Sequence, residues 1–194
     1  MEDFWFYLQL GYHHVMDPGA YDHLLFLSAL ALPFSFKSWK KVLLLATVFT
    51  IAHCTSLALS AFGLVHVAVT WIEFLIPVTI LITALYNYTY IRRDADDVRL
   101  KLQLFSTAFF GLIHGFGFSN YFNMLMGGVD EKILPLTGFA AGIEIAQVIV
   151  ILAVMLLAFL LVKVFRLKKP HFIVIASLIV ALLTIPMLIE TFPF

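Results

Sequence analysis

Residues 133–162 read ILPLTGFAAGIEIAQVIVILAVMLLAFLLV, a run of thirty residues in which Glu144 is the only charged side chain. A helix needs about 20 mostly apolar residues to cross the hydrocarbon core of a bilayer, so this run predicts a transmembrane helix. The rest of the chain has the same character, because 62% of its 194 residues are hydrophobic and only 12% are charged. Soluble domains carry about 25% charged residues. The composition therefore predicts an integral membrane protein.

Working outward from that run, apolar segments separated by polar or glycine-rich positions predict about six membrane spans. Their approximate bounds are 20–36, 40–62, 66–91, 101–122, 133–162 and 171–191. Residues 1–15 are too short and mixed to span, and they predict an interfacial helix with Trp5, Tyr7 and Tyr12 at headgroup depth. The expected fold class is an all-α bundle of about six transmembrane helices, forming one membrane domain over residues 1–194.

The basic residues predict the orientation of these spans. Of the 12 lysines and arginines, all but Lys132 lie at the connections between spans one and two, three and four, and five and six. Cytoplasmic loops carry the excess of basic residues, so we expect those three connections inside and both termini outside. The formal net charge is zero, which gives no sign of a nucleic-acid partner. Because Cys54 is the only cysteine, an internal disulfide and a thiolate cage for zinc are excluded.

Ionisable side chains inside the predicted spans are the informative residues, because buried polar groups are costly in a membrane unless they are paired or functional. A rise of about 1.5 Å per helical residue places them all between the midplane and the outer surface. We interpret this convergence as a binding site. Its candidate residues are His14, Asp22, His23, His53, Glu73, His114 and Glu144. Glycines at positions 111 and 115 support the interpretation, because small residues four apart let neighbouring helices approach closely.

Imidazole and carboxylate groups without thiolate suit a divalent transition-metal ion such as nickel, zinc, cobalt or iron. Three histidines would bind the ion through neutral ring nitrogens: His23, His53 and His114. Three carboxylates would complete the shell or orient a histidine: Asp22, Glu73 or Glu144. A negative charge at position 22 also has a structural role, since it is favourable at a helix start. The alternative is a metal-free polar network that fixes helix packing or relays protons.

The candidate residues fall in motifs that resemble the HupE/UreJ family of bacterial membrane proteins. The motifs are Gly19-x-x-Asp22-His23-Leu-Leu-Phe-Leu, Phe49-Thr-Ile-Ala-His53, Trp71-Ile-Glu73, Phe110-Gly-Leu-Ile-His114-Gly-Phe-Gly-Phe118 and Gly142-Ile-Glu144-Ile-Ala-Gln147. They follow the family's order over about residues 11–150. The chain is similar to the broader, less characterised branch, because it lacks the His-Pro-x-x-Gly-x-Asp-His pattern of the hydrogenase-linked members.

This resemblance implies a multi-pass protein of the bacterial cytoplasmic (inner) membrane. It implies an accessory permease for nickel or a related divalent ion, associated with hydrogenase or urease systems and so with metalloenzyme-maturation proteins. Because the candidate ligands converge near the outer surface, we expect the ion to be captured at the outer face of the lipid bilayer.

Two alternatives to the permease remain open from the residues. The same site would serve an intramembrane metal-dependent enzyme, in which Glu73 or Glu144 activates a metal-bound water against a lipid or another membrane-embedded substrate. The sequence holds no HExxH motif or nucleophile elbow in favour of that enzyme. In the other alternative, a structural or assembly subunit uses the polar network for packing alone. We interpret His66 and His171, near segment ends, as packing residues.

Overall fold

A computed structural model describes residues 2–91, 100–129 and 131–193, and most of the predicted connection between spans three and four, at 92–99, lies outside them. The described residues form seven α-helices with short 3-10 or π turns at Phe36–Ser38, Asn87–Ile91 and Leu160–Val164. The α-helices are α1 (Glu2–Met16), α2 (Asp22–Ala31), α3 (Trp39–Ala61), α4 (Val69–Tyr86), α5 (Leu100–Leu125), α6 (Ile133–Phe159) and α7 (Lys169–Glu190). The expected all-α architecture is therefore confirmed for these residues.

Four helical segments among the described residues are long and apolar enough to cross a membrane. They are Phe36–Ala61, Val69–Ile91, Ile133–Val164 and Lys169–Glu190, and they match the second, third, fifth and sixth predicted spans. Helix α5 has 26 residues and is also long enough, but its polar and glycine residues dilute its apolar character. The protein is a helical membrane protein, while the count of six spans and the outside position of both termini stay predictions.

The first predicted span differs most from the structure. A helix over 20–36 was expected, but α2 has only 10 residues, which is too short to cross a bilayer alone. Its end follows from Pro33, which has no backbone N–H to donate to the preceding turn. The carbonyl of Ala29, four residues earlier, instead accepts a hydrogen bond from the buried Asn87 side chain at 2.8 Å. This hydrogen bond joins α2 to the end of α4, and α2 does not continue beyond it.

Helix α1 forms over the predicted interfacial segment, but it packs against α6 as part of the bundle. Trp5 is 60% exposed, whereas Tyr7 on the opposite face is only 6% exposed. The contact is close because α6 presents glycines to α1. A Cβ added to Gly138 would lie 2.7 Å from the carbonyl oxygen of Phe4, and one at Gly142 would lie 2.7 Å from the backbone nitrogen of Tyr12. Helix α1 is therefore held where the residues at its end face the bundle interior.

Helices α3 and α5 lie side by side and run in the same direction. A Cβ at Gly111 would lie 2.7 Å from the carbonyl oxygen of Phe49, and one at Gly115 would collide with the carbonyl of His53. Further along, Asn123 donates to Ser60 Oγ at 2.8 Å. This glycine-mediated packing agrees with the spacing of Gly111 and Gly115 noted in the sequence. It brings the middle of α3, with its histidine, against the middle of α5, with its own.

Candidate metal centre

Four histidines from four different helices meet inside the bundle. His23, His53 and His114 are each at most 1% exposed, and His14 is half-buried. The ring of His23 is central to the group. Its centroid lies 4.6 Å from that of His14, 5.4 Å from that of His53 and 5.4 Å from that of His114. Helices α1, α2, α3 and α5 each contribute one imidazole to this cluster, which we call the histidine cluster.

Three members of the histidine cluster have metal-ligand spacing. One ring nitrogen from each of His14, His23 and His53 can be chosen so that all three lie within 4.8 Å of one another. A histidine nitrogen bound to zinc lies about 2.0–2.1 Å from the ion, so two ligands of one ion can be at most about twice that distance apart. The three rings are therefore close to an arrangement that shares a single ion.

Several ring nitrogens of the histidine cluster are buried without a hydrogen-bond partner. Among the described side chains, these are Nε2 of His14, His23 and His114 and both ring nitrogens of His53. Buried polar atoms almost always have a partner, and leaving one without a partner costs free energy. Ring nitrogens that lie close together without hydrogen-bond donors from the protein can offer their lone pairs to a cation that takes nitrogen ligands. The donor set of the cluster thus fits a divalent transition-metal ion.

Two of these rings are oriented by acceptors on their far side. Asp22 Oδ1 lies 3.0 Å from Nδ1 of His23, and the carbonyl oxygen of Phe110 lies 2.9 Å from Nδ1 of His114. A carbonyl or carboxylate oxygen accepts, so Nδ1 carries the proton in both rings and Nε2 presents its lone pair. Metal-binding histidines commonly have such partners, which fix the tautomer and the ring plane. In this geometry, Asp22 orients His23 instead of reaching the ion itself.

Phenylalanine rings surround the histidine cluster. Phe118 lies 4.0 Å from His14, Phe49 lies 5.1 Å from His114, and Phe26 lies 5.3 Å from His114, measured between ring centroids. Such an apolar wall limits water at the site and strengthens electrostatic interactions inside it. These residues were not among the candidate site residues predicted from the sequence. Their signal was present, however, because each lies three or four positions from a cluster histidine on the same helix face.

Glu144 lies in a separate group of oxygen atoms beside the histidine cluster. Thr47 Oγ1 donates to Glu144 Oε1 at 2.5 Å, and Thr50 Oγ1 donates to Glu144 Oε2 at 2.7 Å. Gln147 Oε1 lies 3.2 Å from Thr50 Oγ1 and belongs to the same group. Because Thr50 precedes His53 by three residues, this oxygen group lies about one helical turn from the histidines along α3. The structure shows no hydrogen bond between the described Glu144 carboxylate and a histidine.

Glu73 is not brought into the cluster. Its side chain is exposed, because the bundle face of α4 is formed by its apolar neighbours. Ile72 and Ile76 are the side chains that a Cβ at Gly117 of α5 would meet, which leaves Glu73 on an outward face. The expectation that Glu73 is buried beside the histidines is therefore wrong. His66 and His171 are exposed and lie outside the histidine cluster.

The histidine cluster has an open approach along α1. A cavity of about 360 Å³ is lined by His14 together with His13, Asp17, Met16 and Tyr121. His13 and Asp17 are exposed, so the cavity joins the protein surface to the buried rings through His14. The lining carries a second imidazole and a carboxylate, groups that attract a divalent cation. We call this cavity the approach cavity.

The fold and the cluster define a class of protein, a helical membrane protein with a buried multi-histidine site that fits a transition-metal ion. Within that class, residues 1–191 match the family model described as HupE / UreJ protein. The chain belongs to this family, and the resemblance found in its motifs is confirmed. Comparison with curated proteins and with solved structures finds no match.

Proposed function

We propose that the protein is a permease for a divalent transition-metal ion, nickel first and cobalt or zinc next. The observation that carries this proposal is the set of buried, unpartnered ring nitrogens in the histidine cluster. Nitrogen ligands favour these ions over magnesium and calcium, which take oxygen ligands. Membership of the HupE/UreJ family, which is related to nickel and cobalt handling, supports the same substrate class. The ligands of the ion would be His14, His23, His53 and His114.

The arrangement suggests a sequence of sites for the transported ion. The approach cavity, at His13 and Asp17, would capture the ion at the outer face of a bacterial cytoplasmic membrane and pass it to His14. The oxygen group of Glu144, Thr47 and Thr50 would receive it one helical turn further along α3. Conduction needs sites that bind well enough to admit an ion and weakly enough to release it. A nitrogen site followed by an oxygen site meets that need. Metalloenzyme-maturation proteins would receive the ion on the inner side of the membrane.

Uptake into proteoliposomes tests this function. Vesicles containing the purified protein and a metal-sensitive dye are exposed to nickel, cobalt or zinc, and the dye signal is followed with time. We expect uptake with the natural chain, loss of uptake with His53→Ala, and natural uptake with His66→Ala, which removes an exposed histidine outside the cluster. Equal uptake by His53→Ala and the natural chain would contradict the proposal. Size-exclusion chromatography in detergent checks that the two proteins elute as the same folded species.

A second candidate function is an intramembrane metal-dependent enzyme that keeps its ion as a cofactor. The observation in its favour is that Asp22 and the Phe110 carbonyl fix two rings before any ion binds, which suits a tightly held resident ion. Its general base would be Glu144, because Glu73 is exposed. Stoichiometric metal in the purified protein together with a flat uptake trace would favour this enzyme over the permease.

A further inference from the structure

A second cavity, of about 180 Å³, lies on the opposite side of the histidine cluster from the approach cavity. It is formed between α2, α3, α4 and α5, and it is bounded at one end by Phe26 and Phe110. At the other end, Gln103, Asn87 and Tyr90 line it. We call it the Gln103 cavity. Because Gln103 precedes Phe110 by seven residues on α5, the cavity extends about 10 Å along the helix.

Most of the Gln103 cavity is apolar, and it lies beside the lipid-facing surface of the bundle. Leu30 and Leu45 are among its lining residues, as are Ile82 and Leu102, which are 49% and 52% exposed. Apolar walls cannot replace the hydration shell of a cation, so an ion is disfavoured there. Burial of an alkyl chain against such walls is favourable. The cavity therefore has the chemistry of a site for a hydrocarbon chain.

The end of the cavity at Gln103 is polar and incompletely satisfied. Gln103 is 8% exposed, and its Nε2 donates to Tyr90 Oη at 3.0 Å. Its Oε1 is buried and has no hydrogen-bond partner among the described residues. Such an unpartnered amide oxygen can accept a hydrogen bond from an O–H or N–H group of a ligand. A ligand with an apolar tail and a donor at its head would satisfy both ends of the cavity.

Basic residues lie at the same end of the bundle. Lys41 Nζ is 5.5 Å from the ring centroid of Phe34, and Phe34 lines the cavity. Lys101, two residues before Gln103, is exposed at the start of α5. Clustered lysines at a membrane surface attract phosphate-bearing headgroups. Positive charge therefore lies at the same end of the bundle as the polar end of the cavity, and the apolar end is the one near the histidines.

We propose that the Gln103 cavity binds a membrane phospholipid. The first part of one acyl chain occupies the cavity as far as Phe26 and Phe110, and the rest of the chain lies on the lipid-facing surface beside Ile82 and Leu102. The phosphate lies near Lys41 and Lys101. The headgroup donates a hydrogen bond to Gln103 Oε1, so a phospholipid with an ammonium or hydroxyl donor is preferred. The bound chain also touches the wall of the metal centre, because Phe26 stacks on Phe49 at 4.7 Å and lies 5.3 Å from His114.

Photocrosslinking in proteoliposomes tests this site. Phosphatidylethanolamine with a diazirine in the first half of one acyl chain is incorporated, irradiated and mapped on the protein by mass spectrometry. The test variant, Ser106→Trp, fills the side of the cavity. The matched control is Thr55→Trp on α3. Both hydroxyls donate to the carbonyl four residues earlier, Ser106 at 2.9 Å and Thr55 at 2.7 Å, but only Ser106 lines the cavity.

We expect adducts on cavity residues such as Leu30 and Leu45, reduced several-fold by Ser106→Trp and unchanged by Thr55→Trp. Adducts confined to exposed positions away from the cavity, such as Leu156 and Leu183, would overturn the site. Repeating the experiment with phosphatidylcholine, which has no headgroup donor, should give weaker labelling, and Gln103→Leu should remove the difference. Equal labelling by the two lipids in the natural chain would overturn the role of Gln103. These outcomes do not depend on metal uptake.

Discussion

Asp22 Oδ1 accepts two hydrogen bonds from the residue that follows it, from the backbone N–H of His23 at 2.7 Å and from its Nδ1 at 3.0 Å. One carboxylate oxygen thereby fixes both the backbone and the ring of His23, at the start of α2. Because His23 is the central member of the histidine cluster, this contact orients the ring that lies nearest to all the others. The same oxygen atom of Asp22 therefore serves both the helix start and the orientation of the His23 ring.

Asp22→Ala should weaken metal binding without abolishing it. Removing a residue that orients a metal-binding histidine typically costs about 10–100-fold in affinity, and we expect a loss in that range. The measurement is a competition titration against a chelating dye in detergent. Glu190→Ala is the control, since Glu190 is exposed and lies outside both the histidine cluster and the approach cavity. Complete loss of binding would instead make Asp22 a direct ligand.

Gly115→Ala should destabilise the protein and disturb the site. Its new Cβ would collide with the His53 carbonyl and with Ser56 Oγ, and backbone cannot yield as a side-chain end can. Overpacking of this kind costs about 1–3 kcal/mol. Gly117→Ala is the control, because its Cβ would meet the flexible end of Ile76 at 2.6 Å. Thermal unfolding in detergent should show a lower midpoint for Gly115→Ala, and equal midpoints would contradict the close packing of α3 on α5.

Glu144→Gln should separate metal binding from transport. The substitution keeps the size of the side chain and an oxygen acceptor for one of the two threonines, turns an NH2 donor toward the other, and removes the negative charge. We expect metal content at the histidine cluster to be retained and uptake to fall, because the onward site has lost its charge. Elemental analysis and vesicle uptake are measured on the same preparation, with the exposed Glu190→Gln as control. Metal content lost together with uptake would place Glu144 among the ligands of the cluster.

Lys132→Met should lower stability at the junction of α3 and α6. Lys132 Nζ donates to the carbonyl oxygen of Ala61 at 2.6 Å, at the end of α3, where helix carbonyls lack partners. A cation at a helix C-terminus contributes about 0.3–1 kcal/mol, and methionine keeps only the apolar stem. We expect a small drop in the unfolding midpoint that Lys163→Met, an exposed control, does not show. A drop of the same size in both variants would assign the effect to charge alone.

The sequence was sufficient for the architecture and for the family, because both depend on strong local signals. Long apolar runs predicted α3, α4, α6 and α7, and the ordered motifs around Asp22, His53 and His114 predicted the family that the chain matches. The break after α2 was less visible. Pro33 ends the helix, but the Asn87 side chain that replaces the lost backbone donor comes from a distant segment, and no local pattern reports such a contact.

The candidate site was predictable in part. Histidines are rare in an apolar sequence and are therefore easy to recognise as candidate site residues. The structure brings the four candidate histidines together, although metal binding itself stays a proposal. Glu73 could not be placed from its depth alone, because depth does not say which face of α4 it occupies. The pairing of Glu144 with Thr47 and Thr50 depends on how α6 is rotated against α3. Rotation is decided by packing over the whole helix, at glycines and phenylalanines far from the carboxylate.

The glycine contacts divide the histidine cluster between two bodies. His53 and His114 are carried by the tightly packed pair of α3 and α5, whereas His14 is carried by α1, which is anchored to α6. A small slide of one body past the other would leave the ion with only part of its ligands, and affinity for a chelated ion falls steeply with each nitrogen lost. The number of ligands, and not their chemistry, would then switch the site between holding and releasing its ion.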